Sequence, residues 1–135
     1  MTQISLQKMI LIIAGIAIMA LGLNIGLGGV QTLGLQISES FFTITNEEIF
    51  NTQDNHIRFI GGIWFCVGAL FFLGSIFLNS LRVTLIVLCC AIGIAGLFRL
   101  SGSDVLTTEI APSLTLELIA FPLLGFWLFQ SGKEA

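Results

Sequence analysis

The chain has 135 residues, of which 56% are hydrophobic and only 10% charged, with a net charge of -3 and a mean hydropathy of +1.02. A soluble domain carries about 25% charged residues, so a water-facing surface is excluded and an integral membrane protein is expected. The slight acidity leaves no electrostatic footprint for nucleic acid.

Crossing a bilayer takes about 20 apolar residues in a helix. Four such runs follow one another: Met9 to Leu27, Phe59 to Leu78, Val83 to Leu100, and Pro112 to Phe129. The first is longer than the apolar core of a signal peptide and has no small-x-small cleavage site, so it is read as a retained helix ending at Gly28-Gly29. The sequence therefore predicts an all-α fold, one four-helix transmembrane bundle over residues 1–135.

Lys8 precedes the first span, Arg82 joins the second to the third, and Lys133 follows the fourth. Basic residues in short loops mark the cytoplasmic side. Both termini are thus expected in the cytoplasm of a cell whose inner membrane holds the chain as a multi-pass protein. Glu39, Glu47, Glu48, Asp54, Asp104 and Glu109 fall on the opposite, outer side.

The first outer loop, Val30 to His56, is too long for a plain connector. Thr45-Asn46-Glu47-Glu48 matches a capping box, which would start the second helix near Asn46 and carry it well above the bilayer. Leu33, Leu35, Ile37, Phe41, Phe42 and Ile44 make an apolar stretch that reads either as an interfacial lid or as a short extended segment. Gly22 and Gly26 on the first helix, Gly61, Gly62 and Gly68 on the second, and Gly93 and Gly96 on the third suit close helix packing, within the bundle or between copies. Spans one-two and three-four share a layout but no residue pattern, so an inverted-repeat transporter is not supported.

Arg58, Arg99 and Glu117 stand within or beside the apolar runs, where an ion costs several kcal/mol unless paired. Arg99 follows Arg82 by 17 residues, about 25 Å along a helix, and Arg58 lies 21 residues before Asn79, about 31 Å. Glu117 is deeper, 12 residues or about 18 Å from Phe129. A buried intramembrane salt bridge between Glu117 and Arg58 or Arg99 is expected, with Asp54 or Asp104 answering the other arginine. If neither does, the site carries net positive charge and would attract an anion.

Asn55, His56 and Ser101 stand nearby as possible pocket polar groups. The candidate ligand-binding set is Asn55, Arg58, Arg99 and Glu117. The bland alternative is that the charges only fix helix register. His56 has no placed nucleophile, so no triad is assigned. Cys66, Cys89 and Cys90 lie in apolar runs and suit packing better than a metal site, and no metal, cofactor or catalytic motif is found.

The runs Asn55-His56-Ile57-Arg58-Phe59-Ile60-Gly61-Gly62, Phe98-Arg99-Leu100-Ser101, and Pro112 with Leu116-Glu117-Leu118 resemble a bacterial family of small four-helix membrane proteins. That family is known only as a domain of unknown function, and its pattern is Asn-x-x-Arg-Phe-x-x-Gly on the second helix. Here Ser101 comes one residue early against its Arg-x-x-Ser run. The resemblance implies the four-helix fold and no activity.

Three functions are in play. An outward polar pocket could bind an anionic or amphipathic ligand, membrane lipids included. The chain could instead be a structural or accessory subunit with a membrane-protein partner, or self-associate. A proton-coupled small transporter ranks last, since the first helix has no acid.

Overall fold

The computed structural model describes residues 3–32, 43–102 and 110–133. They form four helices long and apolar enough to cross a membrane: α1 (Gln3–Gly28), α2 (Glu47–Ile76), α3 (Leu78–Arg99) and α4 (Ala111–Ser131). Large apolar side chains such as Ile13, Leu27, Phe59, Val83 and Phe98 are exposed along them. In water so much open apolar surface would drive aggregation, whereas in a bilayer it is the surface that lipid wets. Of the stretch expected as a lid, Leu33, Leu35, Ile37, Phe41 and Phe42 lie outside the described residues, as do Glu39, Asp104 and Glu109, and Ile44 is exposed ahead of α2.

The chain divides into two compact units, Met1–Ile76 and Phe77–Ala135, each an antiparallel helix pair. In the first, the buried positions of α1 are Gln7, Leu11, Gly15, Ile18 and Gly22, a single stripe at steps of three and four. Glycines seven residues apart do most of the fitting. Gly15 and Gly22 on α1 face Gly68 and Gly61 on α2, close enough that a Cβ on Gly15 would sit 2.6 Å from the Phe72 nitrogen. A Cβ on Gly68 would come within 2.5 Å of the Met19 nitrogen. Lipid gives helices no hydrophobic reason to associate, so contact between backbones supplies the dispersion and weak polar attraction that does. Intramolecular packing is thus what Gly22, Gly26, Gly61 and Gly68 serve. Gly62 is different, with nothing within 4 Å of an added Cβ.

α2 has 30 residues, about 45 Å, against a hydrocarbon thickness of about 30 Å. Its polar first turns therefore extend beyond the apolar layer. Asn46 caps them, its Oδ1 accepting the Ile49 N–H at 3.1 Å. The cap falls one residue later than a Thr45–Glu48 capping box would place it.

The second unit opens after a single non-helical residue, Phe77 (φ -107°, ψ 46°). The loop expected around Asn79 to Arg82 is instead the first turn of α3. Leu85, Cys89, Ile92, Gly93 and Gly96 form the buried stripe of α3. Gly93 meets Pro122, Gly96 meets Glu117 and Leu118, and Cys89 lies against Gly125 of α4. Several hydroxyls along the helices bond back to their own backbone, as Ser75 does to Phe72 O at 2.6 Å and Thr115 to Ala111 O at 2.8 Å.

α4 is not regular. Residues Leu116–Ala120 form a π turn in which the Phe121 N–H bonds to Leu116 O, five residues back. Pro122 supplies the cause, because it has no N–H to give Leu118 O and its ring crowds the preceding turn.

Replacing Gly61 or Gly68 by alanine is expected to lower stability by about 1–3 kcal/mol, the usual cost of overpacking. Gly62→Ala should be neutral or gain up to about 1 kcal/mol, since alanine is the better helix former. Unfolding titrations in mixed detergent micelles would measure all three; equal losses at Gly61 and Gly62 would contradict the packing described.

Candidate functional site

α1 ends where Gly29 turns the chain at φ 65°, a left-handed conformation that a glycine adopts without strain. The last carbonyls of a helix have no partner within it, and they carry the negative end of its dipole. Arg58 of α2 answers them: its Nη1 donates to Leu27 O and, at 3.4 Å, to Gly26 O. Asp54, one turn earlier on α2, holds that arginine through Oδ2–Nε at 2.6 Å. Its other oxygen, Oδ1, accepts the Val30 N–H at 2.8 Å. Thr32 completes the seal, its hydroxyl donating to Asn24 O at 3.0 Å. Asp54 and Arg58 together therefore fix the turn that follows α1.

The second unit repeats the device with different residues. Arg82, in the first turns of α3, donates from Nη1 to Leu128 O at 3.1 Å and to Ser131 Oγ at 2.7 Å, at the C-terminal end of α4. Its Nη2 lies 3.4 Å from Asn79 Oδ1. Sequence reading treated Arg82 only as a topology marker in a loop. The available signal is that antiparallel pairing of α3 with α4 sets an arginine at the start of α3 beside the last carbonyls of α4.

Arg99 and Glu117 meet within this second unit, Nη1 to Oε1 at 2.5 Å. Gly96, three residues before Arg99, lets α4 come close enough for the contact, since Glu117 Cβ occupies the space a side chain there would need. The expected buried intramembrane salt bridge is not what forms. The Arg99 side chain is 34% exposed and that of Glu117 14%, and the Asp54–Arg58 pair is also open, at 15% and 42%. The reason is position: Arg99 is the last residue of α3, so its long side chain reaches past the helix end.

The three arginines differ in what remains free. A guanidinium binds an oxyanion in a two-bond fork either side-on, through Nε and Nη2, or end-on, through both Nη atoms. Arg58 spends Nε and Nη1, which breaks both forks. Arg82 spends both Nη atoms. Among the described residues Arg99 spends Nη1 alone, which leaves its side-on fork intact there.

The other expected pocket residues lie apart from these contacts. Asn55 and His56 line a shallow, open depression with Glu47, Glu48, Asn51 and Thr52, all on the first turns of α2. His56 Nδ1 bonds to Thr52 O at 2.8 Å. Ser101, just after α3, bonds to Phe98 O at 2.7 Å. Among the described residues no group of three His, Cys, Asp or Glu side chains could hold a metal ion.

Four long apolar helices, with their arginines at helix ends or paired, describe a multi-pass membrane protein. The chain belongs to the family described as a domain of unknown function, DUF4345, which matches residues 6–128. No curated protein and no solved structure matches it.

Asp54→Ala is expected to expose the Val30 amide and to speed its hydrogen exchange about tenfold, the equivalent of losing a charge-assisted bond worth roughly 1.5 kcal/mol. An unchanged exchange rate at Val30 would contradict the capping role.

Proposed function

We propose that this membrane protein binds an anionic or amphipathic ligand, a lipid headgroup above all, at Arg99. Glu117 holds the guanidinium in position and Arg99 receives the anion on its side-on fork. The observation that carries this reading is the unused Nε–Nη2 edge of a part-exposed arginine at the end of an apolar helix. Arg58 and Arg82 each spend two of their three nitrogens on the chain's own oxygens. With both termini in the cytoplasm, Arg99 would face the outer side. Arg58, which sequence alone ranked equally with Arg99, is on this reading a structural cap, and Asn55 and His56 belong to a separate polar surface.

A second reading has its own support. Arg58 and Arg82 both lock a helix to its antiparallel neighbour, as expected if the charges serve packing in an accessory subunit of a membrane complex. A stoichiometric membrane-protein partner, with no headgroup dependence on Arg99, would favour it.

Native mass spectrometry of the detergent-extracted protein separates the two. Arg99→Gln should weaken retention of an anionic phospholipid about tenfold, the loss of one two-bond contact. Lys133→Gln, which removes the same charge at the chain's end, should leave it unchanged. Equal retention by Arg99→Gln and the native chain would overturn the ligand reading.

A further inference from the structure

The surface beneath Arg99 is shaped for more than a free anion. On a helix, residues four and eight positions earlier form an inclined row below, displaced about 40° and 80° around the axis. For Arg99 these are Ala95 and Ala91, both exposed. They form a low strip along α3. Taller exposed side chains, Phe98 at 74%, Ile94 and Val87, stand along one side of it, and Leu88 stands on the other. The buried stripe of α3, through Ile92 and Gly96, lies on the side turned to α4, so the strip is not part of that packing. An intact fork for an oxyanion therefore stands at the head of an inclined apolar strip about two turns long.

From this juxtaposition we infer that the ligand of Arg99 is the phosphodiester of a membrane lipid, its phosphate on Nε and Nη2 and one acyl chain lying along Ala95 and Ala91. The inference rests on the proposed ligand role of Arg99 and specifies its chemistry. Two features argue for a lipid over inorganic phosphate. Apolar side chains border the fork on the α3 side, which favours a ligand with a tail. The carboxylate of Glu117 already offsets much of the Arg99 charge, so a free anion gains little from Coulomb attraction alone and needs apolar contact to stay.

The test measures binding of phosphatidylglycerol and of inorganic phosphate to the purified full chain in a neutral detergent, by native mass spectrometry and calorimetry. The native chain should bind the lipid, and millimolar phosphate should not displace it. Arg99→Lys keeps the charge but loses the fork, and should weaken lipid binding about tenfold. Ala91→Phe fills the strip a full turn away from the guanidinium and should weaken it several-fold. Its helical content and monodispersity should stay native, because the added ring points to lipid.

Displacement of the lipid by phosphate would overturn the inference in favour of a free-anion site. So would full lipid affinity in Ala91→Phe alongside continued dependence on Arg99, with the Arg99 site itself left standing. Indifference to Arg99→Gln and Arg99→Lys alike would remove both the inference and the function on which it rests.

Discussion

In hydrocarbon, water is not available to hydrogen-bond a polar group, so the chain must satisfy its own backbone and its own charges. That constraint accounts for where each arginine points. Arg58 covers the last carbonyls of α1 and Arg82 those of α4. A cation at a helix C-terminus is worth about 0.3–1 kcal/mol when exposed and up to about 2 kcal/mol in partly buried positions. An exposed ion pair alone contributes about 0–1 kcal/mol. The capping contacts are therefore the stronger reason for Arg58 to stand where it does, and Asp54 is the side chain that holds it there. Arg99 is the exception: its carboxylate partner engages one nitrogen, and among the described residues its Nε–Nη2 edge makes no hydrogen bond.

The same absence of water removes the hydrophobic drive between helices. α1 and α2 make up for it by bringing backbones together along glycines spaced by seven, and α3 and α4 by fitting Pro122 and Glu117 against Gly93 and Gly96. In the second unit packing and chemistry share residues. Gly96 clears the space for Glu117, Pro122 breaks the helix into a π turn, and Glu117 lies inside that turn. π turns recur at functional sites because they re-aim a side chain that a regular helix would place elsewhere.

Hydropathy alone locates the four helices, because a bilayer demands long apolar runs and tolerates little else. The stop at Gly28-Gly29 was legible too, since only glycine enters the left-handed turn freely. The junction of α2 and α3 was not. Asn79 and Ser80 read as a loop, yet polar residues fit equally well in the first turn of a helix, and Phe77 gives no sequence signal for the break. Charge balance offered Asp54 or Asp104 for whichever arginine Glu117 left, and the i,i+4 spacing was the available sign that joins Asp54 to Arg58. Glu117 could have served either arginine, because sequence distance says nothing about which antiparallel neighbour a side chain meets. Pro122 was the available sign of the irregular turn. The seven-residue spacing of Gly15 with Gly22 and of Gly61 with Gly68 was the available sign of the backbone contact.

On the proposed function, Arg99 and neither Arg58 nor Arg82 presents a guanidinium edge to a lipid phosphate. Solid-state NMR on the protein in phospholipid bilayers, with 15N-labelled arginine, tests it through dipolar contact between guanidinium nitrogens and lipid 31P. The expected outcome is a 31P contact at Arg99 Nε, with Arg58 and Arg82 showing none at theirs. Equal contacts at all three, or none at Arg99, would contradict it.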